Sequence, residues 1–303
     1  MDINMPSRLN RRTISQLLNQ VVSDDGKPLH DEYTFNFNQV QKFIEPIAVT
    51  FLHNLTNWLN KNEIKVIFNI SGNKSVLSDT NQPQRFLDDC GFFEKHLGEK
   101  IYEGSSLRST TVPIQDVLMN NFPQWMQTSF VPWLMNSTNR SASELATFKV
   151  CIEEIFNNVR DHAEEDSSCV FAQHIPGQNN LIISIADMGV GIIDYIKSKD
   201  EYSHFTDEEA LKSAVTLGFT TKSTPKNRGA GLDALIHNVV MNAGGTVYIY
   251  TNKGILISRQ ENGSLIHEYE AANHFYPGTH IEIEINLAQA EDLFDAQEEE
   301  FAW

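Results

Sequence analysis

Between residues 33 and 70 the chain changes its hydrophobic period twice. "YTFNFNQV" alternates aromatic and polar positions, the period-two pattern of a half-buried strand. "IAVTFLHNLTNWLNKN" then repeats apolar residues at helical spacing, and "IKVIFNI" is a dense run of β-branched and aromatic residues. This order predicts a strand, a helix and a second strand, in an α/β unit that closes near Gly104 after a further helix over "PQRFLDDCGFFEKHLG". Residues 1–27 read as a polar extension, helical through "ISQLLNQV" and ending in the turn "SDDGKP". Residues 106–140 carry Pro113, Pro123 and Pro132 with Trp125 and Trp133, which predicts a connector of short packed helices.

In the second half, Ser141 stands three residues before Glu144, as in a capping box, and predicts a helix from near Ala142. Along "CIEEIFNNVRDHA" the apolar stripe is Ile152, Ile155, Phe156, Val159 and Ala163. A second face carries Glu154, Asn158, Asp161 and His162. Solubility alone would be served better there by Lys or Arg, so this face asks for a partner. "CVFAQHI" and "NLIISIADMG" predict two strands joined through "PGQNN". A helix around 207–217 leads into the polar loop "GFTTKSTPKNRGAG". "LDALIHNVVMNAGG" predicts another helix, and "TVYIYTNKG", "ILISRQENG" and "THIEIEINL" predict three antiparallel strands with turns between them.

Five spans result: an extension (1–27), an α/β domain (28–105), a connector (106–140), a larger α/β domain (141–288) and an acidic tail (289–303). Forty acidic against twenty-three basic side chains give a formal charge of −17, which opposes general affinity for nucleic acid or anionic membrane. No apolar run is long enough to span a membrane and no signal-peptide core is present, so a cytoplasmic location is expected. Cys90, Cys151 and Cys169 lack metal-type spacing and fit reduced, buried thiols; no zinc site is expected.

Four segments carry candidate chemistry: the polar face at 154–162, "DMGVG" at 187–191, "RGAGL" at 228–232 and "PGTHIEIEI" from 277. Singly each has a bland reading. "DMGVG" reads as a tight turn, and "GAGLDA" lacks the preceding strand that a dinucleotide fingerprint requires. No Walker-type loop occurs.

In this order, over roughly residues 141–287, they resemble the GHKL ATP-binding family, which includes histidine kinases, anti-sigma-factor serine kinases, type II topoisomerase ATPase subunits, Hsp90 and MutL. The resemblance implies a C-terminal α/β sandwich of the Bergerat type with a mixed, mainly antiparallel sheet, and ATP with Mg²⁺ as ligands. It implies that Asn158 presents its amide oxygen to Mg²⁺ and that Glu154, the catalytic residue, orients or deprotonates the attacking water. Asp161 matches an acidic position near adenine, and His162 has an equivalent in the anti-sigma kinases or bonds within the helix layer. Asp187 matches the aspartate that accepts from the adenine amine, Thr279 the threonine backing that contact, and Gly189 and Gly191 let backbone approach the ligand. A lid from Gly218 to Gly231 would offer Thr221, Lys222, Lys226 and Arg228 to the phosphates. Gly229 and Gly231 precede the helix near Leu232, whose free amides favour an anion.

The pattern from Tyr33 to Ile70 resembles a STAS-type α/β module of partner-switching antagonists. Glu45 and Pro46 stand where that module carries Asp-Ser, so the phospho-acceptor is absent. A docking or homodimer surface for a protein partner, responsive to nucleotide state, is the expectation. Three functions remain open: a slow ATPase switch, a protein serine/threonine kinase acting on a separate STAS-like partner, and a module that binds ATP without turnover. No phosphorylatable histidine helix precedes residue 141, which disfavours a histidine kinase.

Overall fold

The computed structural model describes residues 1–70, 83–162, 167–219 and 231–290; within its helices the side chains of Met119, Thr147, Glu154 and 157–162 fall outside the description. The first half comprises β1 (Asp2–Asn4), α1 (Arg11–Val21), β2 (Glu32–Asn36), α2 (Pro46–Lys61), β3 (Lys65–Asn69), α3 (Pro83–Asp89), α4 (Phe92–Leu97), β4 (Thr111–Leu118), α5 (Phe122–Trp125) and α6 (Val131–Thr138). The second comprises α7 (Ala146–His162), β5 (Ser167–Ile175), β6 (Asn180–Ala186), α8 (Ile192–Lys197), α9 (Asp207–Ala214), α10 (Gly231–His237), β7 (Thr246–Glu261) and β8 (Ser264–Asn286). Among the described residues no helix is long and apolar enough to cross a membrane.

Two sheets organise these elements. β1, β2 and β3 are parallel, with α2 as the crossover between β2 and β3. The larger sheet has the order β4-β5-β6-β8-β7 and is antiparallel at every pairing, where a mixed sheet was expected. Its alternation sorts side chains to two cores, because successive residues of a strand point to opposite faces. Leu181, Ile183 and Ile185 of β6 and Ile281, Ile283 and Ile285 of β8 face one core, which α7 and α10 complete with Ile152, Ile155, Phe156, Leu235 and Ile236. Cys169, Phe171, Tyr250 and Tyr276 face the second core, together with residues of β2, α1 and α2.

α2 therefore lies inside the molecule, touching β3 as well as β4, β5 and β6. Thirteen of its residues are buried, so it is enclosed around its circumference rather than on one stripe. Pro46 opens it at the first helical position, where a missing N–H costs nothing, and Glu45 stands at its N-cap.

Several expectations change. Residues 1–27, expected as an extension, supply an edge strand and a capped helix packed against the larger sheet; Asn10 accepts from the Thr13 amide. Arg11 of that helix pairs with Glu282 and Glu284 of β8 and lies over the Tyr248 ring, 3.8 Å from its centroid. The helix expected over 83–98 divides at Gly91, whose φ of 84° is left-handed. Within the span expected as a helical connector, Thr111–Leu118 pairs with β5 as an outer strand of the larger sheet. Ser141 and Glu144 make their capping contacts, but a turn precedes α7, which begins at Ala146. The turn expected at "TNKG" is a register break inside β7 at Asn252, and the strand continues to Glu261.

Candidate functional site

Asp187, Gly189, Gly191 and Thr279 gather at one end of the strands β6, β8 and β7. β6 ends at Ala186, paired with His280, while Thr251 of β7 pairs with Thr279 of β8. The residue after β6 is therefore Asp187, beside Thr279. The Asp187 amide donates to the Thr279 carbonyl at 2.8 Å, and its carboxylate Oδ1 accepts from the Gly189 amide at 2.8 Å and the Thr279 amide at 3.3 Å. Both side chains are buried. Two backbone donors fix the carboxylate's direction before any ligand arrives, which is how a buried acceptor is held in one geometry.

Two glycines make this packing possible. Gly278 has φ +92°, and a Cβ there would overlap the Asp187 backbone carbonyl. Gly191 has φ +85°, and its Cβ would overlap the Asn252 side-chain amide. Any other residue would force the loop after β6 away from β7 and β8, in addition to the cost of a left-handed backbone.

Thr251 and Asn252 are structural members of the site that sequence reading missed. The Thr251 hydroxyl accepts from the Ile192 amide at 2.8 Å and donates to the Gly278 carbonyl at 3.0 Å, so one oxygen joins the start of α8 to β8. Asn252 is left-handed (φ 49°), which asparagine tolerates better than most residues. Its Nδ2 donates to the Val190 carbonyl and to Asp194 Oδ2, each at 2.9 Å, and its Oδ1 accepts from the Asp194 amide at 3.3 Å. Burial, and Asp207 after it, raise the Asp194 carboxyl above its ordinary range. The only sequence signal was "TNKG" interrupting a strand, which reads as a turn.

Glu154, Asn158, Asp161 and His162 belong to α7, which packs on α10, but their side chains lie outside the description. Thr221, Lys222, Lys226, Arg228 and Gly229 lie outside the described residues altogether. Gly231 is the first residue of α10, and Leu232 is buried in the main core.

No protein-family model matches the chain, and no curated protein does. Among solved structures, a topoisomerase IV ATP-binding domain of Francisella tularensis, in complex with a small-molecule inhibitor, is similar over 59% of this chain, at 14% identity and a TM-score of 0.28. The match spans 42% of that structure's chain, less than half its length. A likeness this slight assigns neither family nor activity, so function is argued from the residues themselves.

The Asp187 end of the sheet is suited to holding an N–H donor. A carboxylate at a strand end, with backbone amides, carbonyls and hydroxyls around it, can accept from an amine or amide N–H.

Proposed function

We propose that the chain binds Mg-ATP in a GHKL-type site and hydrolyses it slowly, with closure of the segment 218–231 controlling how the N-terminal layer or a protein partner is engaged. The observation that carries this reading is the joint of Asp187, Thr279 and Gly278, with Thr251 bracing it. It holds a buried carboxylate where an adenine amine would need an acceptor.

The described residues fit the base end of such a ligand, since Gly191 and Gly278 keep backbone where a side chain would intrude. Asn158 would hold Mg²⁺, which would neutralise phosphate charge, and Glu154 one helical turn earlier would orient water. Arg11, anchored to β8 three positions from Thr279, ties the N-terminal layer to the same strand that supports the joint. Movement at that strand is a route by which nucleotide state would reach a partner surface.

The deciding experiment incubates purified protein with radiolabelled Mg-ATP, alone and with lysate, while calorimetry measures binding. Free phosphate that disappears in Glu154→Ala supports the ATPase. Label on another protein makes the chain a kinase. Binding without either signal leaves ATP as a stabilising ligand. Absence of binding overturns the proposal.

A further inference from the structure

Where the second core meets the edge of the larger sheet, three potential metal ligands converge from separate elements. His53 comes from the middle of α2, Asp116 from β4 and Cys169 from β5, the last two being direct cross-strand partners. One donor atom from each lies within 4.8 Å of the other two. We propose that His53 Nε2, an Asp116 carboxylate oxygen and Cys169 Sγ form a divalent-cation site, best matched by zinc, which clips α2 to the sheet.

The chemistry of the donor set selects the ion. A thiolate, an imidazole and a carboxylate form the mixed set that borderline-soft zinc takes, whereas magnesium and calcium take oxygen alone. One thiolate and one carboxylate neutralise a divalent ion, with the thiol proton released to solvent on binding. Three protein ligands leave a fourth position for water. Access is available on the Asp116 side, whose side chain is 39% exposed while that of His53 is 2% exposed.

The surroundings are those a ligand histidine needs. His53 Nδ1 lies 2.9 Å from His96 Nε2, so His53 can donate from Nδ1 and turn the Nε2 lone pair toward Asp116 and Cys169. His96 packs against the rings of Phe92 and Phe68. With His53 donating from Nδ1, its Nε2 and Asp116 Oδ1 are two acceptors 2.9 Å apart, an arrangement that a cation between them resolves. Asn57 Nδ2, 3.1 Å from Nε2, is a further donor beside it. Lys95 stands 3.9 Å from Asp116 Oδ2, on the other carboxylate oxygen. The alternative occupant is a proton, with His96 donating to His53 and His53 to Asp116.

Sequence spacing gives no sign of such a site, because residues 53, 116 and 169 are too far apart to read as a motif. The absence of zinc expected above rested on the spacing of the cysteines and on histidines that form no HExxH pair. The fold supplies the convergence.

Cobalt distinguishes metal from proton. Full-length protein, stripped with chelator, is titrated with Co²⁺ and followed by absorption. The proposal expects one Co²⁺ per chain, visible bands of tetrahedral intensity and a thiolate-to-cobalt charge-transfer band, with Zn²⁺ displacing the cobalt stoichiometrically. Cys169→Ala should abolish the charge-transfer band. Asp116→Asn, at a partly exposed position that folding tolerates better, should weaken Co²⁺ binding at least 10-fold while keeping that band. Wild-type protein that takes up no stoichiometric Co²⁺, or charge transfer unchanged in Cys169→Ala, overturns the proposal. If Cys169→Ala does not fold, an Asp116→Asn titration identical to wild type overturns it as well.

Discussion

Glu282 gives the molecule a pH dependence whose sign and size follow from its position. It sits on the face of β8 that looks at α1, its side chain 1% exposed and paired with Arg11. Burial, only partly offset by Arg11, pushes its carboxyl from an ordinary 4.5 up to about 7. Below pH 4.5 both folded and unfolded chains carry it protonated, and its contribution to stability is fully present. Between 4.5 and about 7 the unfolded chain ionises first and binds fewer protons, so stability falls as pH rises. At about 1.4 kcal/mol per pH unit the loss is about 3 kcal/mol once pH exceeds 7. Arg11 stays protonated throughout and adds no slope.

Glu282→Gln cannot ionise. It differs from the protonated glutamate by an amount independent of pH, so the informative quantity is the difference between the two stability profiles. Urea unfolding of both proteins, followed by circular dichroism from pH 4.5 to above 7, should show the variant gaining on wild type by about 3 kcal/mol across that window. His280 and His274, which burial pushes down to about 3 and about 4, titrate in both proteins and cancel in the difference. Profiles that run parallel within about 0.5 kcal/mol would refute the argument and mean that Glu282 stays ionised against Arg11.

Further outcomes concern the joint beside Asp187. Asp187→Asn should weaken ATP binding measured by calorimetry by about 10-fold or more, since an amide is a poorer acceptor than a carboxylate; unchanged affinity would remove Asp187 from the site. Glu154→Ala should bind ATP as wild type does and release no phosphate, and retained turnover would mean that water is activated elsewhere. Gly278→Ala should cost roughly 2 kcal/mol or more, from a left-handed φ and the overlap with the Asp187 carbonyl, read as a lower urea midpoint. Asn252→Ala, losing the three hydrogen bonds to Val190 and Asp194, should cost about 2 to 3 kcal/mol, and a loss below about 0.5 kcal/mol would show that Asn252 does not brace the loop.

How much of this was legible in the sequence depended on whether a feature is set by neighbours in the chain. The strand before Asp187, the hairpin through Pro176–Gln178 and the helix that starts at Asp207 rest on local period and turn residues, and each stands where the pattern put it. The approach of Asp187 to Thr279 was expected only through family resemblance, and the geometry supplies its cause: β6 and β8 are neighbours in register, so adjacent ends meet. Thr251 and Asn252 were not legible, since their importance comes from contacts with residues 58 to 62 positions away.

The first 27 residues show the same limit more sharply. Their helix was readable from "ISQLLNQV", but its polar surroundings suggested a solvated extension. Its apolar face, Ile14, Leu17, Leu18 and Val21, is buried, and Arg11 at its start meets the two carboxylates that alternate outward from β8's apolar residues. The glutamates in "IEIEI" alternate with isoleucines, as on a strand with one polar face. Glu282 is instead covered, because the N-terminal half lies over that side of the sheet. An alternating pattern specifies which residues share a face; it does not specify whether water or the rest of the chain covers the polar one. A buried carboxylate opposite an arginine is where those two cases differ physically, and titrating Glu282 reports whether that interface is closed in solution.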